Sequence, residues 1–457
     1  MNAPAKPSVA VLGGGISGLA CAYRLETLGT HVALFEAADM PGGLIGTVEK
    51  DGFLFESGPQ SFQGVPALLD LIRELGIEGE LCRADPRAPR FILRRGRLRE
   101  IPMSPQGILT TPLLSARSRW KIASEPLRRG RPPVAEESVA DFVRRKFGHE
   151  ILEYLVAPFV SGVYAGDPEK LSLRAAFPTL DEWERNYGSV LRGAIKSGIK
   201  EKGGPPPLCS FRRGVNTLPR VLAEKLGDHL HTGARVASVG RATSSAGGFD
   251  ICVSREGQNQ TTTFQAVVVA LPAYVAAHLL GAISPPLAHA LSGIAYAPVG
   301  VVGSGYYARQ IGLPVDGFGF LIPRAEKHLT LGTVWNSSLF PGRAREGSVA
   351  ITSFAGGAAN PEVLEMPEGE MAAAVQNENA RIMQITGPPA VTAVWKHAKA
   401  LPQYNLGHGH IVEAIRESSR DIPGLFFSGN YLEGPALGKC VERAFATADS
   451  VRAFLQS

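Results

Sequence analysis

Apolar positions along the chain recur with two periods, and those periods mark out its elements. Continuous apolar runs at Val9–Leu12, Val32–Phe35 and 266–270 have the character of strands buried on both faces, as in a parallel sheet. Shorter strand-like runs stand at Phe53–Glu56, 91–93, 234–239 and 249–253. A glycine-punctuated series at 299–306, 318–322, 329–334 and 349–354 predicts a second sheet. Helical spacing links Leu19, Ala22, Tyr23 and Leu25, and again Leu68, Leu69, Leu71, Ile72 and Leu75. Further helices are predicted at 150–160, 218–226, 370–385 and 437–455. Ser138 with Asp141 opens another, running through Phe147, and Ser172 caps a short one. The cluster at 203–207 reads as a linker.

The first strand leads into Gly13-Gly14-Gly15-Ile16-Ser17-Gly18, then a helix, then a strand that ends on Glu36. Each part has a physical task in a dinucleotide site. Gly13 turns the chain, Gly15 admits a pyrophosphate against the backbone, and Gly18 lets helix and strand pack closely. The helix start offers free N–H groups and positive potential to phosphates. Glu36, 18 residues past Gly18, is placed to accept a ribose diol. At the other end of the chain a strand at 425–428 meets Gly434-Pro435 and a long helix. That second helix start suits the carbonyl edge of an isoalloxazine. Two such helix starts favour FAD over NAD, and they require the ends of the chain to fold together with the middle inserted.

Composition narrows the class. With 44% apolar and 19% charged residues, the 457-residue chain has the makeup of a globular protein of two or three domains. A net charge of +5 suits an anionic ligand or surface, but no aromatic-interleaved basic motif points to nucleic acid. Five scattered cysteines form no CxxC pair, which predicts a reducing compartment and neither a metal site nor disulfides. No signal peptide or membrane-spanning run is read, so a cytoplasmic location is expected. Seven arginines between Arg83 and Arg99 could bind carboxylates, one or two of them touching substrate. Leu109, Leu113, Leu114 and Trp120 alternate with Arg117, Arg119, Lys121, Arg128, Arg129 and Arg131. This suits a membrane interface or an ordinary surface subdomain.

Longer motifs carry a resemblance. They are Glu56-Ser57-Gly58-Pro59-Gln60-Ser61-Phe62, the run from Ser161 to Asp167, the run from Asp316 to Pro323, and Pro402-Gln403-Tyr404-Asn405-Leu406-Gly407-His408. Over nearly the whole chain the sequence resembles the oxygen-dependent protoporphyrinogen and coproporphyrinogen oxidases, within the FAD-dependent amine oxidase superfamily. The resemblance implies an α/β chain with a Rossmann-type FAD-binding domain split in sequence (1–56, 212–283, 405–457). It implies a sheet-based α+β substrate domain (57–83, 284–404) and an inserted helical, membrane-associating subdomain (84–211). It places FAD against Gly13, Gly14, Gly15, Ile16, Ser17, Gly18, Glu36, Gly43, Gly58, Pro59, Gln60, Ser61, Val236, Trp395, Pro435, Ala436 and Leu437. Arg90 would pair with a substrate carboxylate, and Gly166, Leu321, Leu331 and Phe354 would line the macrocycle pocket.

Three residues depart from the family pattern. Met40 stands where arginine is usual, Arg213 replaces a glycine, and Pro435 removes an N–H near the flavin.

The chemistry implied is six-electron oxidation of protoporphyrinogen IX, or alternatively of coproporphyrinogen III, with O2 as acceptor, in heme biosynthesis. No side-chain base is required, so His278, His289, His397, His408 and His410 need no catalytic role, and no metal is expected. Peripheral contact with the inner face of the cell membrane and a homodimer are compatible assemblies. The rivals are an amine oxidase, a carotenoid desaturase and a flavin-bearing scaffold without turnover. Failure of every porphyrinogen to reduce bound flavin would favour the last.

Overall fold

Three distant stretches of the chain meet in one five-stranded parallel sheet. Its order is Leu230–His231, Val32–Phe35, Val9–Leu12, Ala266–Val269 and Leu425–Phe427. Val9 stands in register with both Val32 and Ala266, and Val267 with Leu425. The computed structural model describes residues 8–102, 104–128, 135–200, 206–243 and 247–457. Alternate strand residues separate into two cores. Val9, Val11 and Val268 pack with Leu19, Val441 and Ala444 of helices Ile16–Thr27 and Leu437–Leu455. Ala10, Leu12, Val267 and Val269 pack on the other side with Leu280, Leu291 and Tyr431. Each large apolar side chain so buried contributes about 1.5–3 kcal/mol.

The larger sheet has seven strands in the order Val391–Pro402, Tyr296–Tyr307, Ser348–Gly356, Thr330–Val334, Gly319–Leu321, Arg90–Arg94 and Arg97–Glu100. Helix Glu368–Met383 closes one face. There Val302 and Ala355 pack on Met371 and Val375. Thr333 Oγ1 donates to Asn379 Oδ1 (3.0 Å), and Asn379 Nδ2 donates to Ser353 Oγ (2.8 Å). The opposite face carries one in-register row across six strands: Trp395, Val301, Phe354, Gly332, Leu321 and Ile92.

A helical layer lies over part of that face, with its own core of Leu114, Phe142, Val143, Leu152, Val160 and Leu173. Ser138 and Ser172 cap helices Val139–Lys146 and Leu173–Ala176, as their spacing predicts. Buried charges in this layer are paired. Lys146 Nζ is 2.6 Å and Arg145 Nη1 2.8 Å from Glu184 Oε1.

The structure redraws several expectations. Segment 57–83, expected with the substrate domain, packs Phe62, Leu68, Leu71 and Ile72 into the core beneath the parallel sheet. Hairpin 90–100, expected inside the helical insertion, is instead two edge strands of the large sheet, because Arg90–Arg94 pairs with Gly319–Leu321. Ser161 to Tyr164, read as a helix stop, are helical, and helix Ala157–Tyr164 ends at Ala165 (φ 48°). Leu113 and Leu114, expected at an interface, are buried. Strands Thr47–Lys50, Gln258–Phe264 and Leu230–His231 escaped the hydrophobic pattern, being polar, exposed or only two residues long. The Leu109 side chain, Arg129, Arg131 and most of the linker at 203–207 lie outside the described residues.

Candidate active site

The parallel strands all end at one edge, and the predicted dinucleotide residues gather there. Gly13 follows one strand and Glu36 its neighbour. Gly18 must be glycine, since a Cβ on it would lie 1.9 Å from the Gly13 carbonyl oxygen. Gly15, by contrast, faces open space on its Cβ side, which leaves the backbone clear for a phosphate. Glu36 is held across the turn: its Oε2 accepts from Gly14 N (2.7 Å) and its Oε1 from Ala38 N (2.8 Å). The second glycine turn closes on the first, with Gly42 N donating to Gly14 O at 2.8 Å, which brings Gly43 beside Gly15. Val236 reaches the same edge, because Ala234 N donates to the Glu36 carbonyl (2.8 Å).

Neither helix that begins here has a side-chain cap. Helix Ile16–Thr27 starts at Gly15 and helix Leu437–Leu455 at Ala436, directly after Pro435. The Ser17 hydroxyl lies against Cys440 in the first turn of the second helix, so the two starts are neighbours. Uncapped first-turn N–H groups and two aligned helix dipoles concentrate positive potential at this edge.

The loop Ser57 to Ser61 runs from this edge to the large sheet, on the face that carries the row. His397 Nε2 is 2.8 Å from the Ser57 carbonyl oxygen, and His397 sits two residues beyond Trp395 on the same strand face. Gln60 serves the loop itself: Nε2 donates to the Gly58 carbonyl (2.8 Å), while Oε1 accepts from Asn336 Nδ2 (2.7 Å). Gln60 was expected at the cofactor, but its amide is committed to protein partners at both ends.

Beyond the loop lie the residues expected to line a flat pocket. Phe354 and Leu321 share the in-register row, and Leu331 packs with Val301, Ala165 and Phe354. Helix Ala157–Tyr164 roofs the row. Gly162 is in such close contact that a Cβ there would stand 2.6 Å from Leu321 Cδ2. Gly166 follows the left-handed Ala165, and Arg324 holds this corner through Asp167 (3.1 Å). Arg90 occupies the same face as Ile92, two residues before it, with its guanidinium 5.3 Å from the Phe318 ring centroid.

Sequence reading missed Gln403 and His397 as site residues. Gln403 Nε2 donates to the Tyr164 carbonyl (2.9 Å), and its Oε1 lies 3.0 Å from where a Cβ on Gly166 would stand. Strand alternation from Trp395 would have found His397. Nothing in the sequence links Arg324 to Asp167.

Burial shapes the ionisable groups nearby. It pushes the Tyr164 phenol up to about 12 and raises Tyr404 as well. It raises Glu56, which the buried Arg343 guanidinium at 3.5 Å partly offsets. It lowers His408, whose ring lies edge-on to Tyr404 at 4.9 Å. Among the described residues no cluster of His, Cys, Asp or Glu is arranged to hold a metal ion.

A nucleotide edge beside an apolar face is an arrangement that suits a flavoenzyme. Residues 16–452 match the family of flavin containing amine oxidoreductases, and the chain belongs to that family. The protein is therefore a flavin-dependent oxidoreductase, and its cofactor is FAD. The chain is 37% identical to chloroplastic protoporphyrinogen oxidase 1 of Spinacia oleracea, over 97% of this chain and 84% of the relative. It is 27% identical to coproporphyrinogen III oxidase of Bacillus subtilis, over 99% of each. A solved structure from Exiguobacterium sp. 255-15, a protoporphyrinogen oxidase candidate, superposes with a TM-score of 0.84 at 23% identity. It covers 99% of this chain and all of the other.

Proposed function

We propose that the protein oxidises protoporphyrinogen IX to protoporphyrin IX, removing six electrons in three two-electron rounds. The row from Trp395 to Ile92, roofed by Gly162 and flanked by Arg90, carries this reading. A wide, apolar floor beside one guanidinium suits a large flat ring that bears carboxylates at its edge. Relatives named protoporphyrinogen oxidase at 36–37% identity support the choice of substrate. The Bacillus relative keeps coproporphyrinogen III as the second reading.

The residues present fit FAD. Glu36 retains free lone pairs for a ribose, Gly15 leaves room for a pyrophosphate, and two uncapped helix starts face the same edge. When bound, FAD supplies a two-electron acceptor that O2 regenerates. The chain supplies position. Arg90 fixes a carboxylate, while Phe354, Leu331 and Leu321 hold one face of the macrocycle and keep water from it. His397 fixes the Ser57 loop that joins the two regions. No side-chain base is assigned: His408 is buried in the core, and His397 holds a backbone carbonyl.

In this reading the nucleotide region comprises 1–56, 212–283 and 405–457, joined by 57–83, and the large sheet carries the substrate. Trp120 and Leu127 are strongly exposed, in a segment that also carries Arg117, Arg119, Lys121 and Arg128. That combination suits peripheral contact with an anionic membrane surface. No helix among the described residues is long and apolar enough to cross a membrane. The test is aerobic turnover of the purified yellow protein with each porphyrinogen, followed by porphyrin fluorescence and peroxide. Strong turnover of protoporphyrinogen IX is expected, and turnover of neither substrate contradicts the proposal.

A further inference from the structure

A second cleft lies away from the row on the large sheet, between hairpin residues 47–54 and the start of helix Thr217–Leu226. Its volume is about 360 Å³, and Arg212, Arg213 and Arg220 line it with Asn216, Thr217 and Glu49. Three arginines and one glutamate thus share this lining. Arg213 is shared with Glu80 at 3.4 Å and Arg220 with Glu224, while Arg212 has no ion-pair partner among the described residues. Thr217 is 2% exposed, and its Oγ1 has no hydrogen-bond partner. Asn216 Oδ1 is also unpartnered and lies beside Gly42. A buried hydroxyl without a partner is costly, and beside Arg212, which has no ion-pair partner among the described residues, it is a donor for an anion.

We propose that this cleft binds a small polyanion, a phosphoryl or polycarboxylate compound, gripped by Arg212 and Arg220 with Thr217 as a buried donor. Gly342 of the lining precedes a buried arginine that is already committed. Arg343 Nη2 donates to Ser210 Oγ (2.7 Å) and to the Phe211 carbonyl (3.1 Å), and it neutralises Glu56. Asn216 N donates to Thr47 Oγ1 (3.2 Å), which joins the cleft's two sides. The inference does not depend on which substrate the protein oxidises.

The test is calorimetric titration of the FAD-loaded protein with pyrophosphate, inorganic phosphate and citrate, at ionic strength fixed with KCl. Saturable binding at one site is expected, weakened at least about tenfold in R212A/R220A with flavin content unchanged. Thr217→Val, which keeps shape and removes the donor, should weaken binding about fivefold. Preference for pyrophosphate assigns a phosphoryl ligand, and preference for citrate assigns a polycarboxylate. No saturable heat with any of the three, or binding unchanged in R212A/R220A, overturns the proposal.

Discussion

His397 Nε2 stands 2.8 Å from the carbonyl oxygen of Ser57, joining the outermost strand of the seven-stranded sheet to a loop that leaves the nucleotide edge. Residues 340 positions apart in sequence thereby set the distance between the two halves of the site. A single neutral hydrogen bond of this kind contributes about 1 kcal/mol. His397→Ala should therefore weaken FAD binding by about fivefold, while the melting temperature of the FAD-free protein changes little. Flavin fluorescence titration of the two proteins checks this. Unchanged affinity would show that the loop is held by other means.

Gly162 is the point where the helical roof touches the floor. A Cβ there would meet Leu321 Cδ2 at 2.6 Å, so a valine must turn Leu321 out of its place in the row or lift the roof. Gly162→Val should lower kcat/KM more than about tenfold. The yellow colour and flavin content should persist, because Gly13 to Gly18, Glu36 and Pro435 lie on other elements. Steady-state kinetics with matched flavin absorbance separates the two effects.

Arg90 tests the carboxylate contact. Hydrogen bonds to charged groups contribute about 1.5–3 kcal/mol, so Arg90→Ala should raise KM for the porphyrinogen by about ten- to a hundredfold. The fall in kcat should be smaller, since the guanidinium sits at the rim of the apolar row. An unchanged KM would assign the carboxylate to another arginine of the hairpin.

His408 gives the protein a pH dependence of defined sign. Burial holds its folded pKa below the ordinary value near 6.5, and the Tyr431 backbone and Glu136 oppose that without prevailing. The unfolded chain therefore binds the proton more readily. Stability associated with neutral His408 is fully present above pH ~6.5 and is lost as pH falls through the lower folded value. Urea midpoints should drop between pH 7.5 and 5.5, and His408→Gln should flatten that drop. An identical slope in the variant would assign it to other groups, such as His231, which burial also lowers.

Much of this architecture is legible in the sequence, for reasons that differ by element. The strand at Val9–Leu12 is apolar at every position because both of its faces are buried, and Gly18 is dictated by a backbone 1.9 Å away. Helix Leu437–Leu455 is marked at its start by Pro435, two residues before it. The in-register row is different. Leu321, Phe354 and Trp395 are apolar for ordinary reasons, and only strand pairing shows that they share one line. The same holds for hairpin 90–100. Its arginines look like a solvated face until pairing with Gly319–Leu321 puts Arg90 on the face that carries the in-register row. Long-range partners such as Arg324 with Asp167 leave no local signal at all.

The most direct test of the central claim is anaerobic titration of the FAD-loaded protein with protoporphyrinogen IX, then with coproporphyrinogen III. Progressive bleaching of the flavin by protoporphyrinogen IX is predicted, with porphyrin appearing in step and the yellow colour returning on admission of O2. Flavin that stays oxidised with both porphyrinogens, yet is reduced by an amine or a polyene, would contradict it.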